Sequence, residues 1–418
     1  VYEGLKSYQS NINTKVSQDI DKINKLGHKI HELNQQISKI EAGGIETAMD
    51  LRDERDLALD QLGALAKISY KEDYKGVVTV KLEDEYFVDE LHTYEIGKKT
   101  DKLTGFITPY WPQLSDTDRD IYVNVFDFNV DISTALNSDV GELKALIMSR
   151  GDHWADYSDI EGKGEQEYLD TTNLSVIIDM QAKLDQMVHN MITAINDQLC
   201  PNVTGPVGVT YQDANGNTVN LSDAKVLDTE NCARGSDGEL PPRELFVRAG
   251  IERYTEVTGS DGKTYYVYNE EDTSDTSYMY SLTSCGVNEE LKKIETLFPH
   301  LKQNGEVDKQ LGERLEALWN KDLVGLDPTD PDECNIEEYY QKMIGGLATV
   351  GNVYQKKAED LAGSVLTIEN NRQQVIGVSS DEELQNMIKF QNAYNASSRF
   401  MTVISDMIEH IVTRLGNG

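Results

Sequence analysis

Cysteine is scarce in this chain of 418 residues: only Cys200, Cys232, Cys285 and Cys334 occur. No two of them stand at the close CxxC spacing that a zinc or redox site needs, so free thiols are expected, with a disulfide among Cys200, Cys232 and Cys285 in or beside the most loop-rich region left open. Positive charge is scarce as well. Against 73 Asp and Glu there are 39 Lys and Arg, for a formal net charge of −34. A surface of that sign is repelled by phosphate backbones and anionic head groups, which argues against nucleic acid and membrane as partners. No apolar run is long enough to span a bilayer. No charged-then-apolar secretory leader opens the chain, so any export is expected to cleave nothing or to use a signal outside this sequence. Hydrophobic residues still make up 39%, enough for the cores of two to four ordinary domains.

Catalytic signatures are lacking too. The stretch Gly27-His28-Lys29-Ile30-His31-Glu32 has the flavour of a zinc-protease helix. That motif needs Glu directly after the first His and a second His four residues on. Lys29 follows His28 and Gln35 stands four residues after His31, so both histidines read as solvated surface. Asp213-Ala214-Asn215-Gly216-Asn217 resembles the start of a calcium loop, but the sixth and twelfth positions hold Thr218 and Ala224 in place of Gly and Glu. It reads better as a hairpin turn. The acidic runs Glu83-Asp84-Glu85 and Asp330-Pro331-Asp332-Glu333 show no partner or cleft that would raise one carboxyl for acid-base work, and read as solvated faces. Phosphate-binding glycine loops and nucleophile elbows are absent. The chain is expected not to be an enzyme, and neither a cofactor nor a metal is expected.

What is present is helical periodicity at both ends. Ile12, Val16, Ile20, Ile23, Leu26, Ile30, Leu33, Ile37 and Ile40 follow mixed three-and-four spacing, which puts one apolar stripe on a long helix. Gly43-Gly44 supplies a helix stop. A second helix carries Leu51, Ala58, Leu62 and Leu65 behind the charged run Asp50-Leu51-Arg52-Asp53-Glu54-Arg55-Asp56. The pair reads as an αα-hairpin. Alternation then predicts strands at Val78, Val80, Leu82 and at Ile121, Val123, Val125. Helical spacing returns in Leu143, Leu146, Ile147 and again from Leu174 through Ile177, Leu184, Val188, Met191 and Ile195.

From Pro201 to about Cys285 the texture is β-rich, with Asn215-Gly216 and Asp261-Gly262 as hairpin dipeptides beside Leu245-Phe246-Val247 and Tyr265-Tyr266-Val267-Tyr268. Helix is expected again at Asn288 and from about Asn335. At the end, Ser380-Asp381-Glu382-Glu383 forms a capping box. Behind it Met387, Phe390, Tyr394, Ser397, Met401, Ile404, Ile408, Ile411 and Leu415 run in three-four spacing, with Ser397 the one polar interruption. So narrow a stripe on so long a helix demands a partner, because helical stability comes mainly from packing. Phe390, Tyr394 and Phe400 read as packing surface on that helix, not as a ligand box. The resulting expectation is an elongated, multidomain α+β molecule. A long helical bundle or coiled-coil base contains both termini, and β-rich domains are inserted into it. The expected segments are a helical base at 1–68, a mixed β/helical domain at 69–200, an inserted variable β-rich domain at 201–285, a helical return at 286–375 and a C-terminal axial coiled-coil helix at 376–418.

The stretch from Val375 to Arg399, with Val378-Ser379-Ser380-Asp381-Glu382-Glu383 followed by Phe390-Gln391-Asn392-Ala393-Tyr394-Asn395-Ala396, resembles the C-terminal segment of bacterial flagellar axial proteins. Two further stretches are similar to the hook-associated protein 1 family in particular. Leu33-Asn34-Gln35-Gln36-Ile37 with the Asp50–Asp56 run and Leu62 resembles that family's "LNxQI…DLLDQRDxLLxxL" helical pair. Gly141-Glu142-Leu143-Lys144-Ala145-Leu146 with Leu184-Asp185-Gln186-Met187 resembles its "GELxALL…QLDxLA" segment, and Val287-Asn288-Glu289-Glu290-Leu291 sits where the family has "VNPxL". The Pro201–Ser284 insert is poorly matched. The family's opening motif "NIANxxTxGYSRQ", which pairs with the C-terminal helix in an inner tube, is not found in this chain, so the resemblance leaves the Met387–Leu415 stripe without that partner.

The resemblance implies a mechanical role in the bacterial flagellum: a ring of subunits joining hook to filament. Implied partners are copies of itself, the hook protein, a second hook-associated junction protein and a flagellar export chaperone. The subunit and chaperone contacts fall on Met387, Phe390, Tyr394, Met401, Ile404, Ile408, Ile411 and Leu415. The implied place is extracellular, in the flagellum, reached by type III export without a cleaved signal peptide. Competing readings are another axial protein (the second junction protein or a flagellin), a cytoplasmic coiled-coil adaptor, and an enzyme carried on the insert.

Overall fold

A computed structural model describes residues 1–44, 47–128, 140–214, 216–376 and 380–415, except for the side chains at 369, 372–376, 380–383 and 409–415. The fold is α+β. The chain groups into two compact units: Glu3–Ala155 with Leu169–Asp179, and Val1–Tyr2 with Asp156–Tyr168 and Met180–Gly418.

The first unit is organised by one helix. α1 (Tyr2–Glu41) buries Ile12, Val16, Ile20, Ile23, Leu26, Ile30, Leu33 and Ile37, the stripe read from the spacing, while Ile40 at its end is exposed. α2 (Met49–Leu65) follows, and its Ala48 and Leu51 end packs on Leu33 and Ile37 to make the αα-hairpin. Three short strands form an antiparallel sheet in the order β1 (Ile68–Glu72), β2 (Val78–Leu82), β3 (Glu85–Val88), and β4 (Gly97–Thr100) pairs with β5 (Ile107–Tyr110). The unit's last long element is α3 (Glu142–Arg150).

Strands this short need more than their own ladders to hold them, and amide side chains on α1 supply it. Asn34 gives Nδ2–H to the carbonyl of Val78 at 2.8 Å and takes the Val78 N–H on Oδ1 at 3.0 Å. Asn24 grips Ile96 in the same way, at 3.0 and 2.9 Å. Asn13 donates to the Gly105 carbonyl at 3.0 Å and accepts from the Ile107 N–H at 2.8 Å. Gln9 donates to the carbonyls of Arg150 and His153. Each amide thus docks backbone that would otherwise lack a partner. Buried arginines brace two of them: Arg55 donates to Asn34 Oδ1 at 3.1 Å, and Arg150 to Asn13 Oδ1 at 2.6 Å. At Gly27 the fit is close, since a Cβ there would lie 2.6 Å from the Phe87 ring.

The expected strand at Ile121, Val123 and Val125 does not form. Ile121 and Asn124 make only isolated bridges, to Asp116 and Tyr110. Asp120 takes a left-handed conformation (φ 58°), which folds Ile121 back onto Asp116 and leaves the alternation no long neighbour. Ile121 and Val123 are exposed and only Val125 is buried.

In chain order there follow α4 (Glu165–Asp170) and α5 (Val176–Leu199). Leu174, expected on the latter helix, lies before it and is exposed. The second unit then runs through β6 (Asn202–Thr204), β7 (Thr210–Gln212), β8 (Thr218–Asn220), β9 (Lys225–Leu227), β10 (Phe246–Val247), β11 (Tyr254–Thr258), β12 (Thr264–Tyr268) and β13 (Gly286–Val287). A four-stranded antiparallel sheet takes the order β11-β12-β9-β6, and β7-β8 and β10-β13 are separate pairs. Asp261-Gly262 makes the β11-β12 turn, with Gly262 at φ 75°. Of the other turn dipeptide, Asn215 lies outside the described residues. Leu199, Cys200, Leu227, Cys232, Tyr254 and Leu311 form the core where the sheet meets the end of α5. The helices α6 (Glu289–Lys293), α7 (Leu311–Ala317), α8 (Ile336–Ile376) and α9 (Ser380–Leu415) complete the unit, with the Asn288 side chain capping α6.

Candidate functional site

The residues expected to make contacts lie on α9, and the structure divides them. Met387 is 57% exposed, Phe390 41% and Tyr394 53%. At spacings of three and four they share one face of the helix, and the exposed Leu384 and Ile388 stand beside them. Further along, Met401 and Ile408 are half-buried and Ile404 is only 7% exposed. The side chains of Ile411 and Leu415 lie outside those described. The stripe therefore changes character along its length: packed within the chain around Ile404, open from Leu384 to Tyr394.

A second open row stands on α8, which contacts α9. Its first turns are core, with Ile336, Tyr339, Met343 and Leu347 buried and the Tyr339 hydroxyl donating to Gln186 Oε1 at 2.8 Å. Beyond them Val350, Val353, Tyr354, Leu361, Leu366 and Ile368 are all exposed. The row falls inside the helical return expected at 286–375, whose apolar seam the sequence analysis does not trace. Its signal was available in Val350, Tyr354, Leu361 and Ile368, at intervals of four, seven and seven, a heptad seam. Exposed large apolar side chains repeated along two helices are a surface awaiting cover, whereas single ones need no explanation.

In the second unit the carboxyls of Asp185, Glu244 and Glu271 converge on Tyr280, Ser281 and Leu282. Asp185 on α5 accepts the Leu282 N–H at 2.6 Å, the Ser281 hydroxyl at 3.1 Å and the Tyr157 N–H at 2.9 Å. Glu244 accepts the Tyr280 hydroxyl at 2.5 Å and Asn196 Nδ2 at 3.2 Å. Glu271 accepts the Tyr280 N–H and the Tyr157 hydroxyl, both at 2.7 Å. Burial pushes the Asp185 carboxyl up to about 6 and that of Glu244 up to about 7. These groups are occupied in fixing one loop to α5, which is a fastening role. Among the described residues no group of three or more His, Cys, Asp and Glu is placed to hold a metal, and no helix is long and apolar enough to cross a membrane. His28 pairs with Glu95 at 2.7 Å on an open face. All four cysteines are free thiols.

Residues 1–205 match the family model "Flagellar hook-associated protein FlgK helical domain", and residues 373–414 match "Flagellar basal body rod FlgEFG protein C-terminal". The chain is 23% identical over 437 aligned positions to the flagellar hook-associated protein 1 of Bacillus subtilis (strain 168), covering 100% of this chain and 69% of that protein. Among solved structures, the flagellar hook junction protein FlgK from Burkholderia pseudomallei is 13% identical with a TM-score of 0.37, over 72% of this chain and 53% of that one. The chain thus spans about half the length of that solved protein.

Proposed function

We propose that this chain, which belongs to the flagellar hook-associated protein 1 family, is a structural subunit of the flagellum that joins hook to filament and carries out no catalysis. Its copies associate in a ring, with the hook protein on one side and a second junction protein on the other. An export chaperone covers the α9 stripe beforehand, and the chain reaches the outside without a cleaved leader. The helical segments at 1–68 and 376–418 serve assembly, and 201–285 is the variable insert.

One observation supports this reading above the rest: the exposed apolar rows of α8 and α9, from Val350 to Ile368 and from Leu384 to Tyr394. Large apolar area left open along two helices is stabilised only when a neighbour covers it, at roughly 25 cal/mol per Å² removed from water. Assembly into a ring supplies such neighbours.

The test uses Phe390→Asp combined with Tyr394→Asp. Both side chains are exposed in the single chain, so the variant is expected to fold with unchanged helix content. Ile404 is a poorer choice, because it is packed within the chain and its substitution would unfold the helix directly. In cells making only the double variant, filaments are expected to be absent or shed. Normal filaments on cells with confirmed expression of the variant would overturn the reading.

A further inference from the structure

The insert is clamped to the end of α5 at a buried core that holds two cysteines. The Ala233 N–H donates to the Leu199 carbonyl at 3.2 Å, and the Asp228 N–H donates to the Pro201 carbonyl at 2.8 Å. These two bonds bracket Cys200 on one segment, and Cys232 stands between their two ends on the other, one residue before Ala233. Both side chains enter the same buried cluster with Leu199, Leu227, Tyr254 and Leu311. Cys285 and Cys334 are not members of that cluster, and the Cys334 thiol faces the Val324 carbonyl at 3.6 Å. The Cys200 thiol at present faces the Pro242 carbonyl, also at 3.6 Å, a weak bond that is readily given up.

We propose that Cys200 and Cys232 are a cross-linking pair, which closes a disulfide when the chain folds in an oxidising medium and so ties the end of α5 to the loop after β9. The oxidant is a small disulfide such as oxidised glutathione. One cysteine thiolate attacks a sulfur of that disulfide and expels the first glutathione thiolate. The second cysteine thiolate then attacks the mixed disulfide and expels the other. The two cysteine protons pass to the two departing thiolates, and the small disulfide takes up the two electrons. Closure belongs to folding and not to the finished fold. Burial keeps the Cys200 thiol protonated far above its ordinary range and shields it from solvent once the core has formed.

The test needs no flagellar component, so its outcome is independent of the proposed function. The full chain is refolded from denaturant in a mixture of reduced and oxidised glutathione, thiols are blocked, and the product is digested with trypsin without reduction. Cleavage after Lys183, Lys225 and Arg234 places Cys200 in peptide 184–225 and Cys232 in peptide 226–234. The expected product is these two peptides joined, lighter by two hydrogens than their sum, in a yield at least about tenfold above the same mixture kept in denaturant. A Cys285→Ser, Cys334→Ser double variant leaves the pair intact and is expected to give the same yield. The oxidised insert is expected to melt about 5 °C or more above the reduced one. Refolded chain with four free or glutathione-capped thiols overturns the proposal. So does a yield no higher than in denaturant, or joined peptides that involve Cys285 or Cys334 instead.

Discussion

Replacing Asn34 by Ala isolates the device that organises the first unit. Asn34 is buried, and its carboxamide makes three bonds: two with the Val78 backbone, at 2.8 and 3.0 Å, and one from Arg55 Nη1 at 3.1 Å. Arg55 keeps its bond to the Gly76 carbonyl and its pairing with Glu72, so the variant's cost falls on Val78. Leaving a buried N–H and C=O without partners costs about 1–3 kcal/mol each, and water entering the vacated space recovers part of it. A net loss of about 2–4 kcal/mol is expected. Hydrogen exchange at the β2 amides reads this locally, and the loss corresponds to exchange roughly thirty- to several-hundred-fold faster. Asn34→Leu restores volume without the bonds and is expected to lose as much as Ala. Gln36→Ala, on the exposed side of α1, is expected to stay within about 0.5 kcal/mol. If Asn34→Ala costs no more than the Gln36 control, or if Leu rescues it, the amide grip is not what docks β2 to α1.

Other expectations follow from the same physics. The turn between β2 and β3 puts Glu83 and Asp84 at φ 49° and 69°, where side chains are strained, so Asp84→Gly should raise stability by about 0.5–1 kcal/mol in urea unfolding despite losing the open Lys67 pairing. Gly27→Ala should destabilise by about 1–3 kcal/mol, because its Cβ meets the Phe87 ring at 2.6 Å. For pH, the folded Asp185 and Glu244 carboxyls lie above their ordinary values, at about 6 and about 7. The fold therefore holds protons that the unfolded chain releases near pH 4. The stability this confers is complete below that point and is lost as pH rises through 6 and 7. Protection of the Tyr280–Leu282 amides should accordingly fall between pH 5 and 8, with a shallower fall in Glu244→Gln, which keeps an oxygen for the Tyr280 hydroxyl.

Much of the fold was legible where one physical signal decides the local structure. The α1 stripe from Ile12 to Ile37 could bury only one face, and it does. Val78, Val80 and Leu82 alternate and are buried on one side of β2. Asp261-Gly262 permits the left-handed turn that joins β11 to β12. Ile121, Val123 and Val125 show the same alternation without becoming a strand: Trp111 donates to the Val123 carbonyl and Val125 to the Pro109 carbonyl, but the chain turns at Asp120 and that short pairing ends, which alternation does not reveal. The grip of Asn13, Asn24 and Asn34 was invisible for a related reason: each amide's partner lies 44 to 94 residues away. On α9 the spacing identified the face but not its two environments. Whether a stripe residue is covered, as Ile404 is, or open, as Met387 is, depends on what else the chain folds against it.

The open apolar rows of α8 and α9 are expected to be covered once the subunit is in place, and hydroxyl-radical footprinting of Met387, Phe390, Tyr394 and Tyr354 measures that cover directly. The purified chain and intact flagella are exposed to the same dose, and side-chain oxidation is read by mass spectrometry. Strong labelling of all four is expected in the free chain and protection of at least about tenfold in the appendage, with the already buried Tyr339 labelled weakly in both. Equal labelling of the four residues in both states would contradict it.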